Sequence, residues 1–212
     1  MSVKAFDPAC RRCDRLAGFL DKVKERHPEY HCAPVAPFGP RRARLLIVGL
    51  APGMHGANAS GRPFTGDYAG ILLYRTLHRY GFSNLEVVSG RGDGLLLHDC
   101  RITNAVKCLP PENKPTGPEV AACNPYLAAE FRAMPSGSIV LALGGIAHKA
   151  TIRAYGLKQT DYPFAHAAEY DLPDERRLLA SYHCSRYNTQ TKRLTESMFD
   201  AVVRRARDYL DG

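Results

Sequence analysis

What this 212-residue chain lacks already narrows its class. No apolar run approaches the roughly 20 residues needed to span a bilayer; the longest, 45–52 (LLIVGLAP) and 138–147 (SIVLALGGIA), fall far short. The opening residues, MSVKAFDPACRRCDR, hold no apolar stretch of the kind that directs secretion, so a cytoplasmic location is expected and no membrane partner. Acidic residues are in deficit. The 21 Asp and Glu stand against 29 Lys and Arg, a net charge of +8 that favours polyanionic partners such as nucleic acid. Repeats, low-complexity tracts and an interior linker are all missing, which leaves one domain over residues 1–212. The two common phosphate loops are missing as well. Gly56 to Gly61 is followed by Arg62-Pro63 rather than Lys and Ser or Thr, and no two glycines nearby stand two apart as GxGxxG requires. An NTP or dinucleotide cradle is not expected there.

What is present reads as a globular α/β chain. Apolar content is 45% and charged content 24%, ordinary for a full core. Short apolar runs at 44–50, 100–108, 138–144 and 176–183 read as strands. Between and after them, 69–80, the stretch from the end of the 110–120 loop to about Met134, 145–155 and 198–210 read as helices, the last with Met198, Phe199, Val202, Val203, Ala206 and Leu210 on one face. A further amphipathic helix carries Leu16, Phe19, Leu20 and Val23, and the Pro-rich 31–43 is an irregular connector. Alternating strands and helices predict a mostly parallel sheet covered on both faces. Ligands bind such sheets beyond the carboxyl ends of the strands, so the loops 49–68, 104–117, 144–147 and 183–197 are expected on one side.

Seven cysteines without a secretory signal point to thiols or metal ligands rather than disulfides. Cys10 and Cys13 form a CxxC, but no second close pair completes a zinc ribbon. Scattered thiolates can hold an iron–sulfur cluster, for which Cys10, Cys13, Cys108 and Cys123 are the best four. The alternative is a set of buried free thiols with an accidental CxxC.

The stretch 49–70 (GLAPGMHGANASGRPFTGDYAG) spends six of the chain's 18 glycines on 22 positions. It also holds an aromatic, Phe64, on which a planar ligand can stack, and a carboxylate, Asp67, which can equally cap the helix beginning near Tyr68. His183 ends a predicted strand and is followed by Ser185, Arg186, Asn188, Lys192 and Arg193, side chains suited to phosphates and sugar edges. Asn104 lies inside another predicted strand, near its carboxyl end, where it can pair with a base edge or serve the backbone.

Together these elements resemble the uracil-DNA glycosylase superfamily, in particular its family 5, an iron–sulfur branch. The residues that carry the resemblance are Gly49-Leu50-Ala51-Pro52-Gly53, His55-Gly56-Ala57-Asn58 and Gly61-Arg62-Pro63-Phe64-Thr65-Gly66-Asp67 in a first motif. A second is Thr103-Asn104-Ala105-Val106-Lys107-Cys108-Leu109-Pro110-Pro111, and a third His183-x-Ser185-x-x-Asn188-Thr189 with Arg193-Leu194-Thr195. Family 4 carries acidic residues in place of His55-Gly56-Ala57-Asn58, which favours family 5; Cys184, where the family most often has Pro, is a departure.

The resemblance implies a three-layer α/β/α sandwich around a mostly parallel four-stranded sheet. It implies excision of uracil, and of other deaminated bases such as hypoxanthine and xanthine, from double-stranded DNA, with single-stranded DNA as a further possible substrate, by a monomer. It also implies a [4Fe–4S] cluster on Cys10, Cys13, Cys108 and Cys123, tying residues 1–30 to the 108–123 loop. In the expected mechanism the damaged base is flipped into a pocket. Phe64 stacks on it, backbone amides of Leu50, Ala51, Pro52 and Gly53 and of Gly66 and Asp67 line its carbonyl edge, and Asn104 reads that edge. His183 donates to the departing base, and Asp67, helped by Asn104, orients or deprotonates water. Arg62, Ser185, Arg186, Asn188, Lys192 and Arg193 are expected to meet DNA. Two other readings share some features: a damaged- or single-stranded nucleic-acid-binding iron–sulfur protein without turnover, and an iron–sulfur redox protein.

Overall fold

Five-residue apolar runs are long enough to cross a small sheet, and four of them do so: Leu45–Gly49 (β1), Cys100–Asn104 (β2), Ile139–Leu143 (β3) and Arg177–Ser181 (β5). The computed structural model describes residues 6–212; residues 1–5, the start of the segment assigned to the cluster, lie outside it. The four strands pair in parallel, and the three-residue Glu169–Asp171 (β4) adds an antiparallel edge, giving the order β2-β1-β3-β5-β4. The expected four-stranded parallel sheet is therefore there, with one strand more. Its Glu169 and Asp171 are exposed, so β4 left no apolar run to be read.

Because successive strand residues point to opposite faces, each buried strand feeds two cores. Leu45, Ile47, Leu141 and Leu179 pack with Leu73 and Leu77 of Tyr68–Arg79 (α3) and with Phe199 and Val203 of Glu196–Asp211 (α7). Leu46, Val48, Val140 and Leu178 pack with Leu127 and Phe131 of Gly117–Ala133 (α4) and with Ala147, Ala150 and Ile152 of Gly145–Ala154 (α5). Helices thus cover both faces, the three layers expected. Among the described residues no helix is long and apolar enough to cross a membrane.

The remaining pieces hold the edges and the carboxyl ends. The Pro-rich connector exchanges two hydrogen bonds between Phe38 and Ile102 (2.9 and 2.8 Å), covering the free edge of β2 at that point. The N-terminal helix Asp14–Arg26 (α1) buries Leu16 among Val106, Cys123 and Tyr126, and Leu20 and Val23 against Leu109, beyond the end of β2. β2 stops at Asn104 rather than running to 108, yet two further bonds, Ala105 N–H to Gly49 and Val106 N–H to Leu50 (2.9 and 3.0 Å), carry its pairing past the sheet. That extension holds the two glycine-loop and cysteine-loop segments side by side.

Candidate active site

Gly49 and Asn104 are partners in the parallel register, so both motifs leave the sheet at the same level. A Cβ on Gly49 would overlap the Asn104 Oδ1 and come within 2.7 Å of the Phe64 ring. The missing side chain lets those two groups share the floor of one pocket. Glycine at this position makes room for the site's own side chains. Gly56 does the same for Asp67, whose Oδ2 would be 2.7 Å from an added Cβ.

The chain from Gly49 to Asp67 is shaped by local chemistry. A single turn, Ala57–Ser60 (α2), is closed by Gly61 in the left-handed region. Phe64 is also left-handed (φ 53°), a strained state for a bulky residue, and strain of this kind persists only where surroundings enforce it. Two enforcers are visible: the Tyr74 hydroxyl donates to the Pro63 carbonyl at 2.8 Å, and Arg62 Nε donates to Thr65 Oγ1 at 2.8 Å. Asp67 caps α3, its Oδ1 accepting from the Gly70 N–H at 2.9 Å. It lines the pocket at the same time, so capping the helix does not take it out of the cavity.

The pocket measures about 380 Å³ and is walled by Leu50, Ala51, Gly53, Phe64, Asp67, Asn104 and His183, all expected there from sequence. The His183 ring lies against Phe64, centroids 5.8 Å apart and nearly parallel at 23°. The backbone N–H groups of Ala51, Gly53 and Asp67 donate to no group of the chain among the described residues, leaving them free for a ligand. Burial pushes the His183 imidazole down to about 4, so it stands neutral at physiological pH. Burial pushes the Asp67 carboxyl up, opposed in part by the N–H groups of Gly70 and Ala69. The cleft thus holds two titratable groups that burial shifts in opposite directions, both towards their neutral forms.

Sequence reading missed several contributors. Asn113, held left-handed (φ 55°) in the loop after β2, and Tyr68 both line the pocket. Tyr187 is 70% exposed in the short helix Arg186–Gln190 (α6), within the stretch first taken as plain loop. Lys107 is almost wholly buried and donates to the Asn104 carbonyl at 2.9 Å and to the Thr103 hydroxyl, bracing the end of β2; burial lowers its pKa. None of these follows from a local pattern, because each depends on which loops meet.

The expected DNA contacts divide. Arg186 lines the pocket mouth with its guanidinium 5.8 Å from the Tyr68 ring, and Lys192 and Arg193 are exposed. Ser185 also lines the pocket and caps α6. Asn188 turns inward, its amide donating to the His183 carbonyl at 2.8 Å, which steadies the histidine instead of reaching out. Arg62 is a correction. It is 7% exposed and paired with Asp93 through two hydrogen bonds (2.9 and 2.7 Å), with a third to the Gly90 carbonyl. Asp93 also accepts from the backbone of Ser89, Gly90 and Leu95; the Arg62 guanidinium first, and the Leu95 and Gly90 N–H groups after it, hold its carboxyl well below the usual range. With four of its five N–H donors taken and the side chain buried, this guanidinium is not presented to a phosphate.

Cys10, Cys13, Cys108 and Cys123 line a single small cavity with Leu16, Lys107 and Tyr126, and none is in a disulfide. Burial and the neighbouring thiols push Cys108 up to about 12. Among the described residues no three His, Cys, Asp or Glu side chains converge to hold a metal ion.

Residues 36–207, which include the whole pocket, match the family described as the Uracil DNA glycosylase superfamily. The chain belongs to that superfamily. Type-5 proteins of this superfamily are similar to it over most of its length, in line with the family-5 resemblance. A type-5 uracil-DNA glycosylase of Thermus thermophilus is 46% identical over 204 residues, covering 94% of this chain and 93% of its own length. One from Mycobacterium tuberculosis is 41% identical, covering 97% and 80%. A type-4 uracil-DNA glycosylase of Archaeoglobus fulgidus is 28% identical over 92% of this chain and 86% of its own.

For this superfamily member two outcomes follow from the geometry. Arg62→Ala leaves a buried carboxylate unpaired and is expected to lower stability by about 3 kcal/mol in urea unfolding, while the salt dependence of DNA binding stays unchanged. The His183 ring should titrate near 4 by NMR. Since the unfolded imidazole protonates at about 6.5, this residue's contribution to stability is present above that pH and is lost as pH falls from there towards 4.

Proposed function

We propose that this protein hydrolyses the N-glycosyl bond of uracil in DNA, the opening step of base-excision repair, as a monofunctional glycosylase. The observation that carries the reading is the convergence of Phe64, Asn104, His183 and Asp67 on one pocket in a chain whose type-5 relatives bear that activity in their names. The base is extruded from the duplex, at a cost of a few kcal/mol of stacking and pairing. It lies against Phe64. Its carbonyl edge accepts from the free amides of Ala51, Gly53 and Asp67, and the Asn104 amide reads the neighbouring N–H and carbonyl.

Breaking the bond leaves negative charge on the base and positive charge on the sugar. His183, neutral, donates an N–H to the base oxygen where the charge gathers, and its cost of charging means that it stabilises the anion by hydrogen bonding rather than as an imidazolium. Asp67 orients or deprotonates the attacking water with its Oδ2 and stabilises the sugar cation, while Oδ1 stays with Gly70. Asn104 and Asn113 offer amides to the same water. Arg186, Lys192 and Arg193 meet phosphates, and the α6 loop with its exposed Tyr187 presses on the duplex. The net charge of +8 supports duplex DNA as the partner of a cytoplasmic monomer.

The proposal extends to hypoxanthine and xanthine, which present the same amide-like edge as uracil. Cleavage of duplexes carrying each base, scored as abasic-site formation in single turnover, tests class and range together. Uracil should be cut, and Asp67→Asn should slow the step by about 100-fold or more. Near-wild-type cleavage by that variant would remove Asp67 from the role, and tight binding by the wild type without turnover would favour the non-catalytic binder.

We also propose that Cys10, Cys13, Cys108 and Cys123 hold a [4Fe–4S] cluster. Four soft thiol donors around one cavity suit a cluster, in which each thiolate bonds a different iron, better than a single ion. It would serve structurally, joining the N-terminal segment to the 108–123 loop, and no step of the reaction runs through it. The purified protein should be brown with about four irons per chain. Cys108→Ser should lose the colour while circular dichroism shows the fold retained; an unchanged spectrum contradicts the assignment.

A further inference from the structure

A strap of chain crosses the outside of the turn that carries Gly53 and Gly56. After α1 ends, the N–H groups of His31 and Cys32 donate to the carbonyls of Ala59 and Asn58 at 3.0 and 3.2 Å, stitching the strap to α2. Above that seam the Tyr30 hydroxyl and His55 Nδ1 are hydrogen-bonded at 2.8 Å. His27 stacks on Tyr30 (4.5 Å, 13°), and the His55 ring meets both edge-on at 5.9 Å. On the inner side the same turn touches the site: Gly56 lies flat on the Asp67 side chain, Gly66 packs near the His55 carbonyl, and Gly53 walls the pocket. His55 is thus held by Tyr30 outside, while inside its own carbonyl faces Gly66 and the next residue, Gly56, backs Asp67.

We propose that Tyr30 and His55 are positioning residues: their hydrogen bond fixes the 53–56 turn, and the turn fixes where Asp67 and the Gly53 amide stand. Neither ring lines the pocket. The inference rests on the glycosylase reading, and its second readout is independent of turnover. A hydrogen bond lost at a distance acts through displacement, and small misplacement of reacting groups is costly to rate.

The test uses the full chain as Tyr30→Phe, His55→Ala and the double variant, at a temperature where circular dichroism shows all of them folded. Each single variant should slow single-turnover cleavage of uracil duplex about tenfold, with the Kd for that duplex changed less than about twofold. The double variant should be no slower than the slower single one, because both changes break one link. Amide exchange at residues 53–56 should rise in Tyr30→Phe. A wild-type rate in Tyr30→Phe, additive losses in the double variant, or unchanged exchange at 53–56 each overturns the proposal. If the wild type itself cuts no uracil, the glycosylase reading fails, and exchange alone then decides whether the link holds the turn.

Discussion

Two parallel strands end side by side, and at the end of one there is no side chain. The pairing of Gly49 with Asn104 brings an amide and an aromatic ring to the same spot, which any Cβ on β1 would occupy. Much of the site is arranged around that shared space. The strained Phe64 is turned into it by a loop whose shape is enforced from outside by Tyr74 and Arg62. Buried Lys107 braces the backbone that delivers Asn104 from the other side. The pocket is thus a product of sheet register first and of loop chemistry second.

Charge is distributed by depth. Inside, the histidine is neutral and the aspartate is pushed towards its neutral form, because a low-dielectric wall penalises both ions. Outside, Arg186 stands at the mouth, and Lys192 and Arg193 are exposed further along the same segment. The cations thus stay in solvent, while the titratable groups of the pocket sit in a low-dielectric wall. Hydrogen-bond donors fixed in a dry site are worth more than the same donors in water.

Much of this was legible in the sequence because it depends on short-range pattern. Four buried parallel strands announce themselves as apolar runs, and the three motif loops follow from where those runs end. Phe64, Asp67, Asn104 and His183 were legible by their place in those loops. What was hidden involves partners distant in sequence. Arg62 looked like a surface cation in a glycine loop, and only the fold supplies Asp93, 31 positions away. Asn188 looked outward until α6 turned its amide onto His183. β4 is too short and too exposed to show a period, and Tyr30 meets His55 from 25 positions away in the chain.

The Asp93 carboxylate gathers the Arg62 guanidinium and three backbone N–H groups, and Arg62 in turn grips Thr65 beside Phe64. The surface segment 89–95 is thereby part of the same cooperative unit as the base loop. Fluctuations that open one must release the other, since the donors on Asp93 and on Thr65 belong to a single side chain. A glycine-rich stretch that would otherwise be among the softest in the molecule inherits the rigidity of an ion pair.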